Sequence, residues 1–159
     1  MHRTILLVAL LAVFCAGLGA GDATLDRATL RGLKAFNIVI DPLDPQLEKA
    51  GLSADTLRSR LDTRLRHAGI PLDNNAIEFV GLRIDSMLLP KKGPDALCFS
   101  LAFYQPVALS RDQKIRTATQ TWDVHKMLVI PPKSLVDSAL DTLDQIADQF
   151  VAAYHSVNP

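Results

Sequence analysis

The chain has 159 residues, a length that suits one domain with a real apolar core, and its 17 Lys and Arg balance 17 Asp and Glu. That balance excludes a general nucleic-acid binder, which needs a surplus of basic residues to neutralise phosphate. No polybasic run is present to hold an anionic membrane surface either.

The first twenty residues, MHRTILLVALLAVFCAGLGA, read as a secretory signal peptide. His2 and Arg3 form a basic front, Ile5 to Phe14 are continuously apolar, and Ala16, Gly17, Gly19 and Ala20 make a small-residue zone before Asp22. The small residues set the mature start between about residues 18 and 24, with Leu18 poorly placed for cleavage after Ala20 and Gly17 and Gly19 suited to cleavage one residue earlier. The apolar run is short of the roughly 18 to 20 residues a span needs, so no stable membrane span is expected after cleavage. The expected location is therefore exported, either periplasmic or secreted. Phe14 is too large to precede a lipidated Cys15. With the leader gone, Cys98 is the last thiol, no internal disulfide forms, and the fold must rest on its core.

Residues 21–32, GDATLDRATLRG, are small and polar and read as a flexible tether before one domain over residues 33–156. LKAFNIVIDPLD then alternates with period two, placing Phe36, Ile38 and Ile40 on one face and Asn37 and Asp41 on the other, as in a strand ended by Pro42 and Pro45. GLSADTLRSRLDTRLRHAGIPL switches to a helical period. Ser53 is its N-cap, Leu57, Leu61, Leu65 and Ala68 its inner stripe, and Gly69 with Pro71 its stop. The outer face of that helix is mostly basic, with Arg58, Arg60, Arg64, Arg66 and His67.

Three more strands follow. The second sets Val80, Leu82 and Ile84 against Phe79, Gly81, Arg83 and Asp85, and the turn PKKGPDA closes it. The third sets Leu97, Phe99, Leu101 and Phe103 inward and Cys98, Ser100, Ala102 and Tyr104 outward, with Pro106 marking an edge or a bulge. Cys98, without a local His or helix terminus to activate it, reads as a small buried hydrophobe. The fourth sets Thr117, Thr119, Thr121, Asp123 and His125 opposite Ala118, Trp122, Val124 and Leu128. The last element is an amphipathic helix with the stripe Leu135, Ala139, Leu143, Ile146, Phe150 and Tyr154, begun by a capping box of Ser134 and Asp137. His67 and His155 lie near helix carboxyl ends and read as dipole-complementing caps.

The order strand, helix, three strands, helix predicts an α+β, two-layer domain (β-α-β-β-β-α). Its four-stranded, mostly antiparallel sheet carries both helices on one face and leaves the other open. A crossover through the first helix makes the first two strands parallel. GLSADTLRSRLDTRLRHAGIPL and QFVAAYHSVNP, on either side of three strands and a Thr-Trp pair, resemble a family of small exported bacterial proteins of unknown function. The element order is also similar, more loosely, to envelope accessory domains: the amino-terminal domain of the Tol translocation protein and the penicillin-binding-protein activators. The resemblance implies a periplasmic binding or assembly role and supplies no catalytic residue.

Phosphate loops and a serine nucleophile elbow are absent from the sequence, and no cofactor or metal is expected. The open face, with Phe79, Arg83, Tyr104, Asp123 and His125, is expected to dock a protein partner or a second copy of the chain, in a non-enzymatic envelope module. The alternative is a small hydrolase or metal-dependent enzyme around Asp123 and His125, which share a strand face. Finally, Asp137, Asp141, Asp144 and Asp148 form one acidic stripe along the last helix. Arg60, Arg64 and His67 form a matching basic stripe on the first. Three fates stay open for the acids: solvation, pairing with the basic stripe across the helix groove, or docking of a basic partner.

Overall fold

The computed structural model of the chain describes residues 21–87 and 95–159. The leader and most of the expected turn at 90–96 lie outside the described residues. Four strands, β1 Asn37–Ile40, β2 Phe79–Met87, β3 Asp95–Leu109 and β4 Asp112–Ile130, form one sheet in the order β1-β2-β3-β4. β1 runs parallel to β2, and β2, β3 and β4 pair antiparallel. Two long helices, α3 Ala54–His67 and α4 Leu135–Val157, pack together on one face of this non-closed sheet, giving the expected α+β layers. Two short helices, α1 Thr24–Ala28 and α2 Pro45–Lys49, are additional.

The core is built where the apolar periods converge. Val80, Leu82 and Ile84 of β2 and Leu97, Phe99, Leu101 and Phe103 of β3 meet Leu57, Leu61 and Leu65 of α3 and the α4 stripe, all buried. Phe150 stands at the centre, its ring 5.1 Å from Trp122, 5.5 Å from Phe36 and 6.1 Å from Phe103. Each such side chain removed from water contributes about 1.5–3 kcal/mol.

In its elements the structure departs from the sequence reading at five places. Residues 21–32 do not hang as a tether: they carry α1, bury Leu30 completely and join the domain. Their composition is polar because polar atoms make the attachment, as described below. α2 forms where only a strand stop was expected, because Asp44 accepts from the Gln46 N–H at 2.8 Å and Pro45 occupies the first helical position. Ser134 does not cap α4 with its side chain, since it ends a 3-10 turn and its Oγ donates to the Pro131 carbonyl at 3.2 Å. His155 serves the other helix, its Nε2 donating to the carbonyl of Ala68 at the end of α3 (2.9 Å).

The fifth departure concerns β4. Phe103 pairs with Trp122, but Tyr104 pairs with Gln120, so Thr121 is an extra residue in the ladder. A bulge of this kind reverses the facing of everything beyond it. Thr117 and Thr119 therefore share the face of Trp122, and Ala118 and Gln120 share that of Asp123 and His125, contrary to the uninterrupted alternation expected. Beyond Tyr104, β3 has lost β2 as a neighbour and pairs with β4 alone, as a two-stranded ribbon. Residues 110–120, at its tip and along its β4 arm, are all exposed, and Pro106 lies in its edge portion.

Candidate functional site

The open sheet face is floored by small residues because β2 and β3 alternate large-inward and small-outward. Gly81 and Ser100 line its middle, Ala102 lies opposite Gly81, and Phe79 and Tyr104 wall one side. The two rings stack at 4.9 Å and 14°. Gly81 is what lets them lie there: a Cβ at this position would sit 3.1 Å from Tyr104 Cε2 and 3.5 Å from Phe79 Cε2. The result is a depression of 520 Å³ bounded also by Val39, Asp41, Arg83, Asp85, Gln120 and His125.

Ionisable groups border this hollow in neighbouring pairs. His125 Nε2 lies 2.6 Å from Asp123 Oδ2, and Arg83 Nε lies 3.1 Å from Asp85 Oδ1. Arg83 stands opposite Ser100 and Ser100 opposite His125, so the three form one row across the sheet. Tyr104 donates its hydroxyl to Gln120 Oε1 at 3.4 Å. Farther along the same face Met87, Met127 and Val129 are exposed, with half-buried Cys98 opposite Met127. Cys98 is thus a surface-facing thiol at the edge of the hollow, not the buried hydrophobe expected.

All five residues expected on the open face are there. Phe79, Arg83, Tyr104 and His125 line the depression, and Asp123 lies beside it, tied to His125. Sequence reasoning missed the contribution of Gly81, Ser100 and Gln120. The alternation does put Gly81 and Ser100 on this face, but Gln120 joins it only through the bulge.

Chemically the face can bind by stacking, hydrogen bonding and ion pairing. Acyl-transfer chemistry would require an oxyanion site, and the amides around Ser100 lie in the interior of the β2–β3–β4 ladder, where they are paired. For a metal, Asp123 and His125 are two ligands, and no group of three His, Cys, Asp or Glu gathers among the described residues.

The charge stripes lie on the opposite layer. Arg60 forks onto Asp144 with both bonds at 2.8 Å, Arg64 contacts Asp148 at 2.5 and 2.7 Å, and Arg64 also reaches Asp144 at 3.3 Å. The Arg60 hydrogen bond leads the causes that hold the Asp144 carboxyl below its ordinary range, with desolvation opposing and the charges of Arg60 and Arg64 assisting. Asp141 adds to the field on Arg60, Asp137 lies in the first turn of α4, and His67 borders the groove. This groove is the larger hollow, 860 Å³, but ion pairs already span it. Its charges hold helix to helix.

No known family matches the chain, and no curated protein does. Among solved structures, the chain is similar to a PelC dodecamer from Paraburkholderia phytofirmans, at 11% identity over 72% of this chain and 82% of that one, with a TM-score of 0.42. It is also similar to a minor lipoprotein from Acinetobacter baumannii, at 16% identity over 75% of this chain and 90% of that one, with a TM-score of 0.34.

Proposed function

We propose that this chain is an exported, non-enzymatic binding module of the bacterial cell envelope that docks a protein partner, or a second copy of itself, on its open sheet face. The observation that carries the reading is the hollow itself: a small-residue floor beneath a stacked Phe79–Tyr104 pair, with Arg83 and His125 at its border. Large side chains standing over short ones give a partner both an anchor and a place to insert its own. The exposed Met87, Met127 and Val129 extend the same face with apolar surface that a partner would remove from water. No described helix is long and apolar enough to cross a membrane.

The test is capture from a periplasmic extract with the wild-type protein as bait, beside Tyr104→Ala and Arg83→Glu. Both positions are outside the core, so circular dichroism should show both variants folded. A partner retained by the wild type and lost by both variants supports the reading, whereas equal retention by all three puts the interface elsewhere. Self-docking is read by sedimentation velocity, as concentration-dependent association that Tyr104→Ala abolishes.

A further inference from the structure

We propose that Met87, Cys98 and Met127 form a binding site for one soft monovalent metal ion, Cu(I), at the end of the open face away from the Phe79–Tyr104 stack. The ion binds as Cys98 gives up its thiol proton to solvent. One Cu–S bond forms to the thiolate and two form to the neutral thioethers, with no transfer of electrons. The site uses none of Phe79, Arg83, Tyr104 and His125, so it stands whether or not a partner docks on them.

The sulfur atoms of the chain are those of Met1, Cys15, Met87, Cys98 and Met127, so every sulfur after residue 15 belongs to this patch. Cys98 stands directly opposite Met127 across the β3–β4 ladder. Met87 pairs with Ala96 across β2–β3 and is thereby the diagonal neighbour of Cys98. Direct partners on one sheet face have Cβ atoms about 4.5–5.5 Å apart, and diagonal neighbours lie within about 7–8 Å. Between the two methionine strands β3 carries only small residues on this face, Ala96 and Cys98, so Met87 and Met127 flank a low strip. Each methionine sulfur sits two bonds past Cβ on a flexible unbranched stem, long enough for both thioethers to swing in over that strip. At 67% and 72% exposed, the two side chains make this movement without disturbing the core. A single surface thiol is no site; a thioether on each side of it makes one.

The donor set selects the ion. Thioethers are neutral and polarisable and do not displace water from hard cations, whereas thiolate and thioether together suit Cu(I). Zinc takes its ligands from Cys, His, Asp and Glu, and no group of three of these gathers among the described residues. Charge points the same way. Asp85, opposite Cys98 on β2, is already paired with Arg83 at 3.1 Å, and Asp123 with His125 at 2.6 Å. A monovalent ion on one thiolate leaves the three-sulfur site neutral, and a divalent ion would leave it positive. Val129, opposite Ala96 on the same face, adds an apolar neighbour to the strip.

The experiment expresses the full chain with Cys15→Ser, so that Cys98 is the last thiol wherever the leader ends, and titrates it anaerobically with Cu(I) against a chromogenic Cu(I) chelator. One equivalent should be withdrawn from the chelator. In this background Met87→Ala and Met127→Ala, both at exposed positions, should each weaken binding by about tenfold or more, at least what losing a supporting residue costs a metal site. Cys98→Ser should abolish it. Equal affinity in the parent and both methionine variants overturns the site and leaves a thiol that takes up copper adventitiously. Displacement of the copper by excess Zn(II) overturns the soft-ion assignment. A second readout needs no methionine variant: one equivalent of Ag(I), a redox-inert soft monovalent ion, should shift the ε-methyl resonances of Met87 and Met127 together. If either resonance stays in place, the three-sulfur site is overturned.

Discussion

The indole N–H of the fully buried Trp122 donates to Asp22 Oδ1 at 2.8 Å, and the same carboxylate receives the guanidinium of Arg27 at 2.5 and 2.7 Å. One aspartate thus satisfies the only polar atom of the largest core side chain and clamps the amino-terminal segment onto β4. Asp22→Ala leaves the indole N–H without its partner and should cost about 1–3 kcal/mol. Asp22→Asn keeps an acceptor and should cost less. Thermal unfolding of the two variants gives the comparison, and equal losses would show that charge on Arg27, rather than the indole bond, is what matters.

Acid should loosen this clamp and the helix groove together. Desolvation raises the Asp22 carboxyl, but the hydrogen bonds from Arg27 and Trp122 and the charge of Arg27 outweigh it and hold it below its ordinary value; Asp144 is lowered chiefly by Arg60. A carboxyl depressed in the folded state contributes stability above its unfolded pKa and loses it as pH falls through the folded pKa. Stability should therefore be flat with respect to these groups above about pH 5 and fall below about pH 4. Urea midpoints measured across that range should show a shallower fall in Asp22→Asn.

Trp122→Ala should be among the most destabilising single changes in the domain. The ring lies edge-on to Phe150 at 5.1 Å and 71°, and its removal opens a cavity at the centre of the core. A cost of about 3–5 kcal/mol follows, a large fraction of the stability of a small domain. Urea unfolding that moved by less than about 1 kcal/mol would mean that the amino-terminal segment and α4 collapse into the space.

The helix groove predicts a charge-swap rescue. Reversing Asp144 and Asp148 to Arg should destabilise the protein by placing two new cations beside Arg60 and Arg64, and adding Arg60→Glu and Arg64→Glu should restore part of the loss. These pairs are a third or more exposed on the arginine side, so each is worth less than about 1 kcal/mol. A four-way cycle by thermal unfolding measures the recovery. Strict additivity would mean that the forks hold no coupling in solution.

Gly81→Ala tests the floor of the open face. The new methyl would press on Tyr104 at 3.1 Å, and this partly exposed ring can move away. The stack with Phe79 should open, changing the near-ultraviolet circular dichroism. Stability should shift by less than about 1 kcal/mol, because the methyl also lowers the entropy of the unfolded chain. An unchanged near-ultraviolet spectrum would show that the pair accommodates the methyl, and that the glycine is not what shapes the hollow.

The sequence by itself determined the elements and most of their faces. Val80, Leu82 and Ile84 at period two, and Leu57, Leu61 and Leu65 at period four, each report burial through the geometry of their own segment, so a short window suffices to read them. The same windows placed Phe79, Arg83 and Tyr104 on the open face, and the spacing of Arg60 and Arg64 already matched that of Asp144 and Asp148. Tertiary structure alone decided the rest. The bulge at Thr121 exists because the two sides of the β3–β4 ladder differ by one residue, which neither strand reveals alone, and it moved Thr117 and Thr119 to one face and Gln120 to the other. Residues 21–32 looked like a tether because their composition is polar, yet Asp22 meets Trp122 across 100 residues and Gln105 Nε2 donates to the Thr29 carbonyl across 76. Polar residues hold a segment in place only through partners, and those partners become neighbours only when the sheet and α4 bring them together.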